Sequence, residues 1–283
     1  MHGVELTTWI EWAAAAFSAV IAVMLPWELW RLHRTGGLTR ARIMEMLASA
    51  SPLLPTLAMA GVVTAFIVSL YGFAASLAPW QIPVSGWSAL LALVCVDFMY
   101  YWDHRVAHNN RTYWALAHSV HHSSPQFDQT TALRVSFMDG FFSPWFYVPL
   151  VLVGFDPMLI LACFLLIIGY QQWLHTEAIG KLKWFDPWLN TPSNHRVHHG
   201  SQQRYQDCNY GAILIIWDRI FGTWVREREP VSYGLTHPIS SSNPLNVHVF
   251  EAARLWADLR DTPRWRDRLR RFLHAPDWQP RVR

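Results

Sequence analysis

Nine histidines in this chain form three tight clusters and one outlier, grouped around apolar stretches of membrane-crossing length. His104 and His108 sit in Asp103-His-Arg-Val-Ala-His, and His118, His121 and His122 in His-Ser-Val-His-His. His175 stands alone in Leu-His-Thr-Glu, and His195, His198 and His199 close the series in His-Arg-Val-His-His. Two clusters thus share the spacing H-x-x-H-H. On a helix, positions i, i+3 and i+4 lie on one face, so each cluster is expected to aim several imidazoles at one point. Neutral imidazole is the commonest nitrogen ligand for iron, zinc and copper, and the pattern predicts a multi-metal site at a membrane surface.

No Gly/Ser/Pro linker or charge block divides the 283 residues, so one domain, 1–283, is expected, with its core about 84–245 and a basic surface tail at 251–283. The chain is 52% hydrophobic and 15% charged, too apolar for an ordinary soluble domain. Cys95, Cys163 and Cys208 form neither a C-x-x-C pair nor an even-numbered framework, which fits buried, reduced thiols. Basic residues gather at Arg31 to Arg42 and after Arg254 and are not interleaved with exposed aromatics. A lipid surface explains them better than nucleic acid.

Four apolar stretches stand out: Trp12 to Trp30, Leu53 to Leu77, Val84 to Trp102 and Phe141 to Trp173. The last is too long for one crossing and is punctuated by Gly154-Phe-Asp-Pro157, so a helical hairpin is expected, its first arm spanning or re-entrant. Its second arm, Met158 to His175, is about 27 Å of helix, enough to span. The fold class is therefore all-α: an integral membrane bundle of four to five membrane helices with a cytosolic helical cap. Arg31, Arg34, Arg40 and Arg42 put the first loop in the cytoplasm. All nine histidines then reach the cytoplasmic face.

One catalytic zinc takes about three protein ligands and an open position. Nine imidazoles overfill that but suit two metals of higher coordination number. Two irons can share the electrons that split dioxygen and attack an unactivated C–H bond, which no side chain can do. Asp97, seven residues before His104, is a candidate acceptor that orients an imidazole, with pairing to Arg105 as the plainer reading. Asp103, Asn194 and Glu177, beside the histidines, are candidates of the same kind. Rival classes are a membrane zinc-dependent hydrolase and a non-catalytic metal-binding or transport protein. No G-x-S-x-G elbow or H-E-x-x-H supports the first, and the second wants ligands strung through the midplane.

The order H-x-x-x-H, H-x-x-H-H, H-x-x-H-H resembles the fatty acid hydroxylase/sterol desaturase superfamily. Asp97-Phe-Met-Tyr-Tyr-Trp-Asp-His104-Arg looks like its first motif. His121-His-Ser-Ser-Pro-Gln-Phe-Asp-Gln-Thr-Thr-Ala-Leu-Arg134, Asn190-Thr-Pro-Ser-Asn-His-Arg-Val-His-His-Gly200, Asn209-Tyr-Gly, Ile215-Ile-Trp-Asp-Arg-Ile-Phe-Gly-Thr223 and Tyr233-Gly-Leu-Thr-His-Pro238 look like its alkylglycerol monooxygenase branch. The resemblance implies a cytosol-facing di-iron centre held by the nine histidines, and oxidation of a lipid from the bilayer by dioxygen, whether hydroxylation or desaturation. It also implies an external electron donor, which in that branch is tetrahydrobiopterin. Some superfamily members carry a further histidine four residues before the equivalent of His175, where this chain has Gln171.

Overall fold

The computed structural model describes residues 2–237, 239 and 242–280. Among the described residues it is helical, with two isolated β-bridges and no strand. Three long helices, α1 (His2–Arg34), α3 (Leu53–Leu77) and α4 (Gly86–Asn109), alternate with the short α2 (Arg40–Ala50). A turn of helix, α5 (Arg111–Tyr113), a π-helical turn (Trp114–His118) and α6 (Ser119–His122) follow. The hairpin consists of α7 (Asp139–Phe142), α8 (Pro144–Leu152) and α9 (Pro157–Gln172). Beyond it lie α10 (Pro192–His198), α11 (Ile216–Ile220), α12 (Pro244–Asp261) and α13 (Trp265–Leu273).

Local chemistry explains where these helices start. Asp156, Thr191 and Asn243 each cap a helix with a side-chain oxygen, and Pro157, Pro192 and Pro244 follow as first residues. Proline is pre-set for that position and its missing N–H costs nothing there. Ser85 and Ser88 close a reciprocal cap at α4. The hairpin turns at Gly154, whose φ of +103° favours glycine, and an added Cβ would lie 2.7 Å from the Trp80 carbonyl oxygen.

Packing joins α1 to α9, α4 to α8 and α9, and α3 to α8. Val96, Tyr147, Leu159, Ile160 and Ile167 form the buried centre of that group. The outer faces of α1 and α3 remain uncovered: Val23, Leu54, Leu57, Val68 and Phe73 are all exposed. Two helical stretches, Glu11–Arg34 and Arg40–Leu77, are long and apolar enough to cross a membrane.

The expectation of four to five spanning helices is met only at this coarser level. The helix of the third stretch carries Asp97, Asp103, Arg105 and the first two histidines. The first hairpin arm runs through Ser143 in helical conformation, so that α7 and α8 together cover 139–152, about 21 Å, short of a full crossing. The second arm ends at Gln172 rather than His175, leaving 16 helical residues, about 24 Å. Proline at 26 does not end α1, which runs on to Arg34.

Asp97 fastens α4 to the segment before α11. Its carboxylate accepts from the Ile213 and Leu214 backbone N–H groups at 2.8 and 3.3 Å and from Trp217 Nε1 at 2.8 Å. It sits about 10 Å along α4 from His104 and bonds no imidazole, correcting the expectation for this residue. Removing it strands three partly buried donors, at up to about 1–3 kcal/mol each. Asp97→Ala is expected to lower the melting temperature of the detergent-solubilised protein sharply, with Asp97→Asn losing less. Scanning calorimetry of the two variants decides it.

Candidate metal centre

Each H-x-x-H-H cluster is divided between two groups rather than aimed at one point, while His104 and His108 stay together. His104, His108, His118, His122 and His198 bring one ring nitrogen apiece within 4.8 Å of one another, and His121, His175, His195 and His199 do the same beside them. The division follows helix geometry. Pairs spaced i, i+4 (104 and 108, 118 and 122, 195 and 199) stay together, while the neighbour at i+3 departs by about 100° about the axis. So His121 leaves its cluster for the second group and His198 leaves its own for the first. The π-helical turn ending at His118 adjusts the register where the two groups meet. Rings of different groups touch, His122 stacking on His199 at 4.3 Å.

The nitrogens confront one another. His118 Nε2 lies 3.1 Å from Nε2 of both His104 and His108, and His175 Nε2 lies 3.2 Å from His121 Nε2 and 2.9 Å from His195 Nε2. Backbone carbonyls fix the other side of several rings. His104 Nδ1 meets the Tyr210 carbonyl at 2.9 Å, His198 Nδ1 the Cys208 carbonyl at 2.9 Å, His175 Nδ1 that of Gln171 at 3.1 Å, and His121 Nδ1 that of Arg134 at 3.3 Å. A carbonyl only accepts, so these Nδ1 atoms carry the proton and their Nε2 atoms present lone pairs. Between His121 and His175, where both Nδ1 atoms are so fixed, lone pair faces lone pair, which is repulsive unless a cation lies between them. Two nitrogens bound at about 2.1 Å to one ion at right angles stand about 3.0 Å apart, in line with these separations. Nε2 of His122, His198 and His199 is buried with no hydrogen-bond partner among the described residues. The donor set therefore fits two metal ions.

Burial dominates the electrostatics. It pushes His118, His122, His195, His198 and His199 well below the ordinary imidazole value, and the neighbouring imidazoles push in the same direction. His121 falls to about 4, again chiefly through burial. The rings stay neutral and available as ligands.

The acceptors behind the imidazoles are not those expected from residue type. Among the described residues, none of Asp97, Asp103, Asn194 or Glu177 bonds an imidazole through its side chain. Asp103 accepts from Tyr113 Oη at 2.8 Å and from Ser143 Oγ. Asn194 donates to the Asp186 and Leu189 carbonyls and accepts from Trp224 Nε1. Glu177 is exposed and accepts from Tyr233 Oη at 3.3 Å. Backbone carbonyls take their place, and these carry no residue-type signal.

The segment 207–211 shows how such carbonyls are positioned. Asp207 and Asn209 adopt φ of +55° and +58°, a region that Asn and Asp tolerate, and the carbonyls of Cys208 and Tyr210 reach two imidazoles. Buried Asp218 holds the Tyr210 and Gly211 N–H groups at 2.8 and 2.7 Å, and Asn209 is bonded on both sides to Val225. Asp207 itself lies 3.7 Å from His108 Nδ1. At His175, buried Glu28 of α1 accepts from Thr176 Oγ1 at 2.6 Å, and Arg196 donates to the Thr176 and Ile179 carbonyls. Gln171, in place of a further histidine, accepts from Tyr100 Oη at 3.0 Å.

An elongated, largely apolar cavity of about 540 Å³ reaches His104 and His118 of one group and His121 and His175 of the other. It follows α3 from Leu53 to Tyr71, about 27 Å of helix, and is closed by Phe17, Ile160 and Phe164.

This assembly defines a helical, histidine-rich candidate metal centre with an apolar cavity against it, and comparison with known proteins gives the class a name. Residues 89–223, which contain all nine histidines, match the fatty acid hydroxylase family, and this segment belongs to it. The particular resemblance is to alkylglycerol monooxygenases. The frog Xenopus tropicalis protein is 37% identical over 98% of this chain and 61% of its own length, and the Homo sapiens protein 43% identical over 71% of this chain and 44% of its own. The ornithine lipid hydroxylase OlsE of Rhizobium tropici is 30% identical over 54% of this chain and 46% of its own length. The chain thus spans about half the length of these relatives. No solved structure matches it.

A pH prediction follows. Each buried imidazole has its folded-state value below the unfolded value of about 6.5, so the unfolded chain binds more protons between the two. The contribution to stability is complete above about pH 6.5 and is lost as pH falls toward the folded values. The metal-free protein is expected to melt progressively lower from pH 7 to pH 5 in thermal denaturation. An unchanged midpoint would show that the rings are not buried neutral.

Proposed function

We propose that the chain, read as a single unit of residues 1–283, is a membrane-embedded di-iron oxygenase that hydroxylates a C–H bond of a lipid with dioxygen. Two adjoining sets of buried, neutral imidazoles, both bordering one elongated apolar cavity, carry this reading. In this reading α1, α3, α4 and the α8–α9 hairpin sit in the bilayer, and the histidines face the cytoplasm. The uncovered apolar faces of α1 and α3 and the arginines at 31, 34, 40 and 42 support that placement. The histidines that would hold the metals border an apolar slot, so the substrate enters laterally from the lipid.

His104, His108, His118, His122 and His198 would hold one iron and His121, His175, His195 and His199 the other. The pair would supply the oxidising power that side chains lack. The chain's own groups do the rest. Apolar side chains of α3 and α9 bind the hydrocarbon and keep water from it. Carbonyl-fixed rings hold their nitrogens in place before any substrate arrives. The slot is long and narrow for its volume, the proportions of an alkyl or acyl chain rather than of a fused-ring sterol. The names of the alkylglycerol monooxygenase relatives support an alkylglycerol as substrate, and an electron donor would be supplied from outside this chain.

Purified protein is expected to contain about two iron ions per chain. His122→Ala and His198→Ala should each lose iron and lower lipid oxidation at least a hundredfold. Lipid mass spectrometry of cells with and without the protein should show a product 16 mass units heavier than its precursor. A product 2 units lighter would indicate desaturation instead. Tightly held zinc with turnover in the absence of oxygen would replace the oxygenase reading by a hydrolase.

A further inference from the structure

A second cavity, of about 180 Å³, adjoins the histidines and differs in character from the first. It is bordered by His108, His122, His198 and His199, whereas the long apolar cavity is bordered by His104, His118, His121 and His175. No histidine of the nine borders both. Each cavity nonetheless meets both groups, so the candidate metal centre is a partition with two separate approaches. Three of the four imidazoles on this second side, His122, His198 and His199, are those whose buried Nε2 lacks a partner among the described residues.

Its remaining walls mix charged and polar groups with Trp114, Leu235 and Pro276. Arg111 and Arg254 both reach Glu251, each at 2.6 Å, and the buried Arg111 Nε has no partner among the described residues. Asp207 and Asp277 add acceptors, and the half-buried Trp114 ring lies 5.1 Å from His108 and 5.6 Å from His122. An alkyl chain gains little by entering such a pocket and would desolvate its charges. Its volume is below the roughly 300–1,000 Å³ of sites for drug-sized ligands, too small for a nicotinamide dinucleotide or a flavin nucleotide.

Resting on the oxygenase reading above, we propose that this pocket binds the electron donor, a compact polar molecule of one or two rings with a two-electron couple, opposite the lipid. Reduced pterin and ascorbate share that chemistry. Hydroxylation converts R–H and dioxygen to R–OH and water and consumes two electrons and two protons. The donor supplies both and leaves in its two-electron-oxidised form. Arg111, Glu251 and Asp207 offer the hydrogen bonds that hold a flat, heteroatom-rich ring, and Trp114 offers a face to stack on. Lipid and reductant then reach the centre from opposite sides, and neither blocks the other.

Two plugs test the division. Thr236→Trp, at an exposed position lining the polar pocket, fills its mouth, and Ala60→Trp, exposed on α3, fills the apolar slot. Equilibrium dialysis of the iron-loaded full chain in detergent uses 7,8-dihydrobiopterin in one arm and ascorbate under nitrogen in the other. One probe is expected to bind at one per chain, Thr236→Trp to weaken it at least tenfold with iron content unchanged, and Ala60→Trp to leave it unaltered. In turnover, Thr236→Trp should raise KM for the donor alone and Ala60→Trp KM for the lipid alone. Absence of binding in both arms, binding indifferent to Thr236→Trp, or full turnover of that variant with a reduced redox protein would overturn the proposal. Donor binding that Thr236→Trp abolishes, in a protein that oxidises no lipid, would support the pocket and strike only the lipid reading.

Discussion

Nine imidazoles are packed together, seven of them buried and two partly so, with ring nitrogens turned toward one another, and the rest of the fold is arranged to tolerate that. Ring nitrogens stand 2.9–3.2 Å apart, and at His121 and His175, where both face with lone pairs, they gain nothing from each other while burial removes the water that would otherwise satisfy them. A cation within each group, as proposed, would make the arrangement favourable. The protein must therefore hold the rings by other contacts, chiefly backbone carbonyls behind them, themselves fastened by buried carboxylates and arginines. Asp218 secures the 207–211 segment, and Glu28 and Arg196 the turn at His175. Arg134, paired with Glu45 at 2.7 Å, secures the backbone that meets His121.

These anchors draw distant parts of the chain to one place. Glu28 belongs to α1, Glu45 to α2, and Glu251 to α12, where it meets Arg111 just before the second histidine cluster. The helix beginning at Pro244 is thus packed against the centre by a buried ion pair. Breaking such a pair leaves an uncompensated charge, whereas the intact pair contributes mainly by fixing position. The long helices bring a hydrocarbon slot to one side of the centre, and the shorter polar segments close over the other.

How much of this could be read from the residues depends on whether side chains or backbone carry the signal. The histidines were legible because metal ligation needs a side-chain nitrogen, and helical spacing makes such residues recur at fixed intervals. The hairpin was legible at Asp156-Pro157, where a capping side chain and a proline mark a helix start. The acceptors behind the rings were not, because a peptide carbonyl can come from any residue, as at Cys208 and Tyr210. Asp97 looked like an imidazole's partner from its seven-residue spacing, yet its neighbours across the interface are two peptide N–H groups and an indole. Apolar length alone left the first hairpin arm open between spanning and re-entrant, and its helical part, 139–152, is about 21 Å long.

By itself the sequence determined the helical class, the nine nitrogen donors and the apolar stretches that place them beside a lipid-facing body. Each of these follows from local periodicity and residue chemistry. Only the tertiary structure decided how the donors divide. Adjacent histidines on one helix point about 100° apart, so whether His121 joins His122 or His175 depends on where the other helices stand. The same packing decided that the centre has an oily side and a charged one, because each wall is assembled from segments far apart in the chain.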